Sequence, residues 1–254
     1  MFNNSFVRVT LMLCLAFSVV VVFAQDEHDD SEHSHMPITS QTNESIEAEW
    51  DIVQARVVRF GSKIIFHQVL AGEAGSVIPE ANGQLASADV FSYVFPTSLD
   101  SSSVGFEPEQ GILALAVTSH PDFDDTPLYD EDGDGDLAND GYVWHSHWVV
   151  LVEDEQCEAG LKVRDIPEGE TPALPATWPE LPLLIDSPGY DLELFGNELV
   201  VEVPTNTIGN PESFNFDGVT AGLRVNANLH SPLLCVVGVD DIASGDLSLS
   251  GVAR

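Results

Sequence analysis

From Ile52 onward, apolar residues recur at every second position or in short unbroken runs, and Gly, Pro, Asn and Asp separate the runs. A period of two is the signature of β-strands, in which successive side chains point to opposite faces. Ile52–Phe60 and Lys63–Leu70 flank Gly61-Ser62, which predicts a two-residue hairpin turn. Further strands are predicted at Asp89–Phe95, Ile112–Ser119, Tyr142–Val152, Leu161–Arg164, Leu192–Phe195, Leu199–Val203, Val219–Ala227 and Leu233–Val239. No window of twelve or more residues carries a 3.6-residue apolar period, which excludes helical and α/β folds. The pattern predicts an all-β chain with one antiparallel β-sandwich or jelly-roll-like domain over residues 47–254.

Two segments of that domain are too long to be turns. His120–Gly141 holds nine Asp and Glu and no Lys or Arg, and Asp165–Gly189 carries six of the fifteen prolines. These are read as a long acidic loop and a Pro-rich segment that is either a surface crossover or a junction between two subdomains.

The N-terminus follows different rules. Arg8 is the only charge before an apolar run from Val9 to Phe23, and Val22-Phe23-Ala24 leaves small residues where a signal peptidase cuts. Residues 1–24 read as a signal peptide, with the mature chain starting at Gln25. This fifteen-residue run falls short of the ~20 a bilayer span requires, so no membrane insertion is expected after cleavage. Residues 25–46 are poor in large apolar side chains and read as a disordered acidic, His-rich arm, in which His28, His33 and His35 could chelate ions loosely.

Composition narrows the partners. The chain has 8 Lys+Arg against 42 Asp+Glu, a formal net charge of −34, which excludes the basic surface that nucleic acid needs. Such acidity suits cations, a salty medium, or simply solubility. Removal of the signal peptide leaves Cys157 and Cys235, and two cysteines in an exported protein read as one disulfide. The expected location is periplasmic or secreted.

Two stretches carry metal chemistry. Asp130, Asp132 and Asp134 stand at relative positions 1, 3 and 5 of an EF-hand-type calcium loop, with Gly135 at position 6. Alternate side chains there converge on one centre, and Asp136 would add its main-chain carbonyl. Position 12 is Gly141 rather than the bidentate Glu, so Asp140 or a remote acid must complete the shell, while Glu131 points outward. The second stretch is His145-Ser146-His147, where residues i and i+2 of a strand share one face and two imidazoles can meet one zinc or copper ion. Trp144, Ser146 and Trp148 fall on the other face. A further ligand is required, and the candidates are His67, His120 and His230, with Asp122 and Asp124.

No GxSxG elbow, P-loop or GxGxxG is present, so the sequence names no catalytic residue, substrate, protein partner or glycan partner. The reading is an exported metal-binding β protein with a structural calcium loop and a His-x-His site. A metalloenzyme using the histidine centre, and a calcium-dependent carbohydrate- or surface-binding module using the aromatic stripe, stand as the alternatives.

Overall fold

A computed structural model describes residues 36–226 and 232–254. The fold is all-β and antiparallel, with fourteen strands among the described residues: β1 Ile38–Thr39, β2 Ile52–Phe60, β3 Lys63–Leu70, β4 Asp89–Pro96, β5 Ile112–Ser119, β6 His145–Glu153, β7 Leu161–Val163, β8 Ile185–Asp186, β9 Asp191–Phe195, β10 Glu198–Pro204, β11 Phe214–Phe216, β12 Val219–Val225, β13 Leu234–Ile242 and β14 Gly251–Ala253. The β2–β3 hairpin closes at Gly61, whose φ of 62° suits a glycine and would strain most other residues.

Two layers result. One is an open sheet in the order β1-β2-β3-β10-β9. The other runs β5-β4-β12-β13-β7-β6, and pairing of β6 back onto β5 closes it into a six-stranded barrel, with β8 added to the first half of β6. Closure explains why the β5 and β6 sequences read as nearly continuous apolar runs. One face of each strand points into the barrel lumen and the other packs against the open sheet.

The larger core lies between the layers. Phe66 and Leu199 from the open sheet meet Phe95, Leu115 and Trp148 from the barrel wall, and Phe66 makes edge contacts with Phe95 and Trp148 at centroid distances of 5.3 and 5.9 Å. The smaller core is the lumen, built from Val90, Val149, Val163, Leu223, Val236 and their neighbours. Cys157 and Cys235 are joined across the barrel wall at an S–S distance of 2.05 Å, a pairing that fits an oxidising compartment.

The open-sheet arm begins earlier than the sequence pattern suggests. Ile38–Thr39, expected within a disordered arm, pairs with Ala55 and Gln54, and Ile38 is buried in the larger core. A two-residue strand has no visible period, and its order comes from the edge it covers. Residues 1–35, with His28, His33, His35 and the predicted signal peptide, lie outside the described residues. Among the described residues, no helix is long and apolar enough to cross a membrane.

Candidate metal centre

The β5–β6 register sets the site. Thr118 lies opposite His145 and Ala116 opposite His147, so both histidines face the lumen together with Ala114, Ala116 and Val149. Trp148 points the other way into the inter-layer core and is fully buried. Ser146 shares that outer face, and its hydroxyl is buried without a hydrogen-bond partner.

His120 follows β5 directly. Its ring stacks flat on Phe123, with centroids 4.0 Å apart and planes 6° from parallel. The turn beyond it delivers Asp125. Four atoms then converge: the Nε2 atoms of His120, His145 and His147 lie 3.2, 3.2 and 3.1 Å from Asp125 Oδ1, and His120 Nε2 is 3.0 Å from His145 Nε2. All four residues are buried, so the cluster is one that could hold a metal ion.

Hydrogen-bond accounting shows what the cluster lacks. His120 Nδ1 is 2.9 Å from the Phe123 carbonyl and His145 Nδ1 is 2.7 Å from the Val143 carbonyl. A carbonyl only accepts, so each Nδ1 carries the proton. Ser187 Oγ donates to the Asp125 carbonyl at 2.6 Å, which leaves it to accept from His147 Nδ1 at 3.1 Å. In the neutral state all three Nε2 atoms therefore present lone pairs to a carboxylate oxygen and to one another. Neither Asp125 Oδ1 nor His147 Nε2 has a hydrogen-bond partner. The Thr118 hydroxyl, 3.3 Å from His145 Nε2, can donate to that nitrogen alone; buried polar atoms are almost always satisfied, so converging acceptors that leave Asp125 Oδ1 and His147 Nε2 unpaired describe a cation site. A tetrahedral ion at ~2.0–2.2 Å from each donor spaces the donors by about 3.3–3.6 Å, so edges of 3.0–3.2 Å need only a few tenths of an ångström of expansion to admit it.

The electrostatics agree. Burial pushes the Asp125 carboxyl up, but the His147 and His120 rings outweigh it and hold the group well below the usual carboxylate range. Burial likewise opposes a charge on His120, and Asp125 reverses the balance so that its net shift is upward. His145 shifts downward because burial dominates there. Positive charge is favoured at this point, and a proton on His120 is the substitute available to the protein alone.

The protein also fixes the ligands from behind. Ser187, at the end of β8, both orients His147 and holds the Asp125 backbone. Ser187→Ala is expected to weaken metal affinity by about 10–100-fold while leaving the four ligands in place. Competition against a chromophoric chelator measures it, and wild-type affinity in the variant would show that Ser187 orients nothing.

The structure corrects the ligand candidates. His120 joins the pair, but His67 does not: it lies on β3 of the open sheet, where Nε2 is 2.8 Å from Glu198 Oε2. His230 lies outside the described residues. Asp122 and Asp124 are also elsewhere. Asp122 accepts from the backbone N–H groups of Asn82 and Gly83, and Asp124 from those of Thr126 and Asp140. Asp125 is the residue that sequence reasoning missed. Within His120-Pro-Asp-Phe-Asp-Asp125 three acids are equivalent by type, and the turn has no period to say which points inward.

The acidic loop reaches the same site from outside. Carboxylate oxygens of Asp130, Asp132 and Asp134 lie within 4.8 Å of one another. Asp130 Oδ2 accepts from Gly135 N, Asp132 Oδ1 from Asp134 N, and Asp134 Oδ1 from Asp136 N, while the Asp136 carboxylate accepts from Ala138 N. Asp140 is fully buried; Oδ2 accepts from Glu131 N and Oδ1 has no partner. Its carboxyl is shifted upward by burial and by the neighbouring Asp132, Asp130 and Asp124. Glu131 does not point outward as expected: Oε2 is buried and unpartnered, and burial raises its pKa. The glycine at position 12 has a packing reason. A Cβ on Gly141 would sit 1.8 Å from the Phe123 carbonyl oxygen and 2.9 Å from His120 Nδ1, so only glycine lets the loop end close against His120.

The aromatic stripe is not a solvent-facing platform. Trp148 is in the core, Trp144 packs on Tyr93 at 5.0 Å, and the Tyr142 hydroxyl donates to Asp132 Oδ2 at 2.7 Å.

Fold and cluster together define the class: an antiparallel β-barrel protein with a buried histidine–aspartate cluster able to hold a metal ion. No family model, curated protein or solved structure matches this chain.

Proposed function

We propose that this protein is an exported metalloprotein whose barrel binds one transition-metal ion, zinc or copper, through His120, Asp125, His145 and His147. The observation that carries the reading is the convergence of four buried ligand atoms, two of which, Asp125 Oδ1 and His147 Nε2, have no hydrogen-bond partner. Three nitrogens and one carboxylate oxygen suit a borderline ion such as zinc. The signal-peptide pattern of residues 1–24 and the Cys157–Cys235 pair support export. Elemental analysis of the purified protein tests the centre. One equivalent of a transition metal is expected in the wild type and none in His145→Ala/His147→Ala, and equal contents in the two would defeat the reading.

A second ion belongs to the same reading. Asp130, Asp132 and Asp134 would hold calcium, with the Asp136 carbonyl and Asp140 or a remote acid completing the shell; the buried, unsatisfied Asp130 Oδ1 within that cluster is what favours a cation over a solvated loop. Without the bidentate Glu the affinity should resemble that of extracellular modules, on the order of 10⁻⁴–10⁻³ M. Calcium at ten millimolar should then raise the melting temperature of stripped protein by roughly 3–10 °C, by mass action on the folded state. Asp132→Ala should remove that increment. A flat titration would mean that the loop binds no calcium.

A metalloenzyme is favoured over a purely structural ion by one observation: His120, Asp125 and His147 line an internal cavity, so the ion would be reachable from within the barrel.

A further inference from the structure

The barrel is not filled by its own side chains. A cavity of about 170 Å³ occupies the lumen, walled by Val90, Val149, Val219, Leu223 and Val236, and it includes the faces of His120, Asp125 and His147. Ile112 and Leu151 also line it, paired across β5 and β6 four residues beyond the Ala116–His147 pair. At ~3.3 Å per residue they stand about 13 Å from the metal-binding end. Ile112 and Leu247 at that far end are 44% and 40% exposed, so the lumen opens there to solvent through an apolar mouth. Leu247 and Leu249 hold left-handed backbone, with φ of 56° and 49°, a strained state for leucine that recurs at ligand sites.

Size and charge define what fits. Apolar cavities of roughly 150 Å³ stay dry and accept six-carbon guests. Outside the mouth, Glu153, Asp154 and Glu155 border a depression shared with Ile112 and Leu247, on a chain of net charge −34. Anions are repelled from that entrance. Three neutral imidazoles and one carboxylate leave a divalent ion with one net positive charge, and zinc expands readily to five ligands.

We propose that the lumen binds an uncharged aliphatic molecule of about six carbons, whose single alcohol or carbonyl oxygen faces the metal while its chain lies along the valine-lined wall. The inference rests on the metal-centre reading, and the test separates the two. Protein reloaded with cobalt(II) is first assayed for one bound equivalent and then titrated with 1-hexanol, with the visible spectrum as readout. The expected result is a saturable spectral change, with affinity rising about fourfold per methylene from 1-butanol to 1-hexanol and hexanoate binding more weakly than 1-hexanol. Ala221→Leu places bulk in the lumen away from the ligands and should cost at least tenfold in 1-hexanol affinity with cobalt content unchanged. Leu223→Ala enlarges the lumen and should move the preference to longer alcohols, which keeps the proposal testable if the first variant folds poorly. Bound cobalt with a spectrum indifferent to 1-hexanol overturns this proposal alone. Tighter binding of hexanoate, or folded variants without effect, overturns it as well. Failure to bind cobalt overturns both readings.

Discussion

Stripping the metal from the folded protein is expected to lower its melting temperature by roughly 8–16 °C, because an ion present at about a thousand times its Kd contributes ~4 kcal/mol to a chain of this size. The contribution should be large at this site for a reason visible in its geometry. Without the ion, His147 Nε2 stays buried and unpaired, and Asp125 Oδ1 finds a partner only when His120 holds a proton against its burial. Acid should produce the same loss. Imidazoles ligate only when neutral, so the metal increment is present above about pH 6 and disappears as protons compete below it. His145→Ala/His147→Ala should melt near the stripped wild type and fail to respond to added zinc. Calorimetry of stripped, reloaded and variant protein measures all three. Identical melting of stripped and reloaded wild type would show that the cluster is held together without a cation.

Opening the Cys157–Cys235 bond is expected to cost about 4–5 kcal/mol by the chain-entropy argument for a cross-link of 78 residues, or roughly 9–18 °C in melting temperature. The bond spans the barrel wall: Cys157 follows β6, and Cys235 on β13 pairs with Lys162 of β7. Those three strands include the shortest contact in the ring, since β7 has only three residues. Cys157→Ser/Cys235→Ser should therefore expand the barrel seam first, and hydrogen exchange should rise earliest in β7. Native protein that exposes two alkylatable thiols, or a double variant as stable as wild type, would contradict this.

How much of the site was legible is best argued residue by residue. His145 and His147 could be placed on one face because β6 is long enough to show its period, and the predicted division from Ser146 and Trp148 is the one observed. The Asp130–Asp134 spacing was legible because loop ligands converge by local turn geometry, and those carboxylates do lie together. β1, β8, β11 and β14 were not legible: each has two or three residues, too few for alternation to show, and of the strands this short only β7 was anticipated, as Leu161–Arg164. Asp125 was illegible for another reason. Asp122 and Asp124 are of the same type within three positions, and the backbone N–H groups that hold them aside belong to Asn82, Gly83 and Asp140, remote in sequence or across the loop.

The sequence by itself determined the strand content, the antiparallel all-β class, the disulfide pair and the face on which the two strand histidines lie. Each of these follows from periods, turn residues and counts that act over a few positions. Only the tertiary structure decided that β6 returns to β5, because ring closure is a property of six strands and not of any one. That closure turned an apolar strand face into a lumen, brought His120 and Asp125 to the β6 pair, and left His67 in the other sheet beside Glu198. Local pattern chooses the direction of a side chain, whereas long-range pairing chooses what it meets.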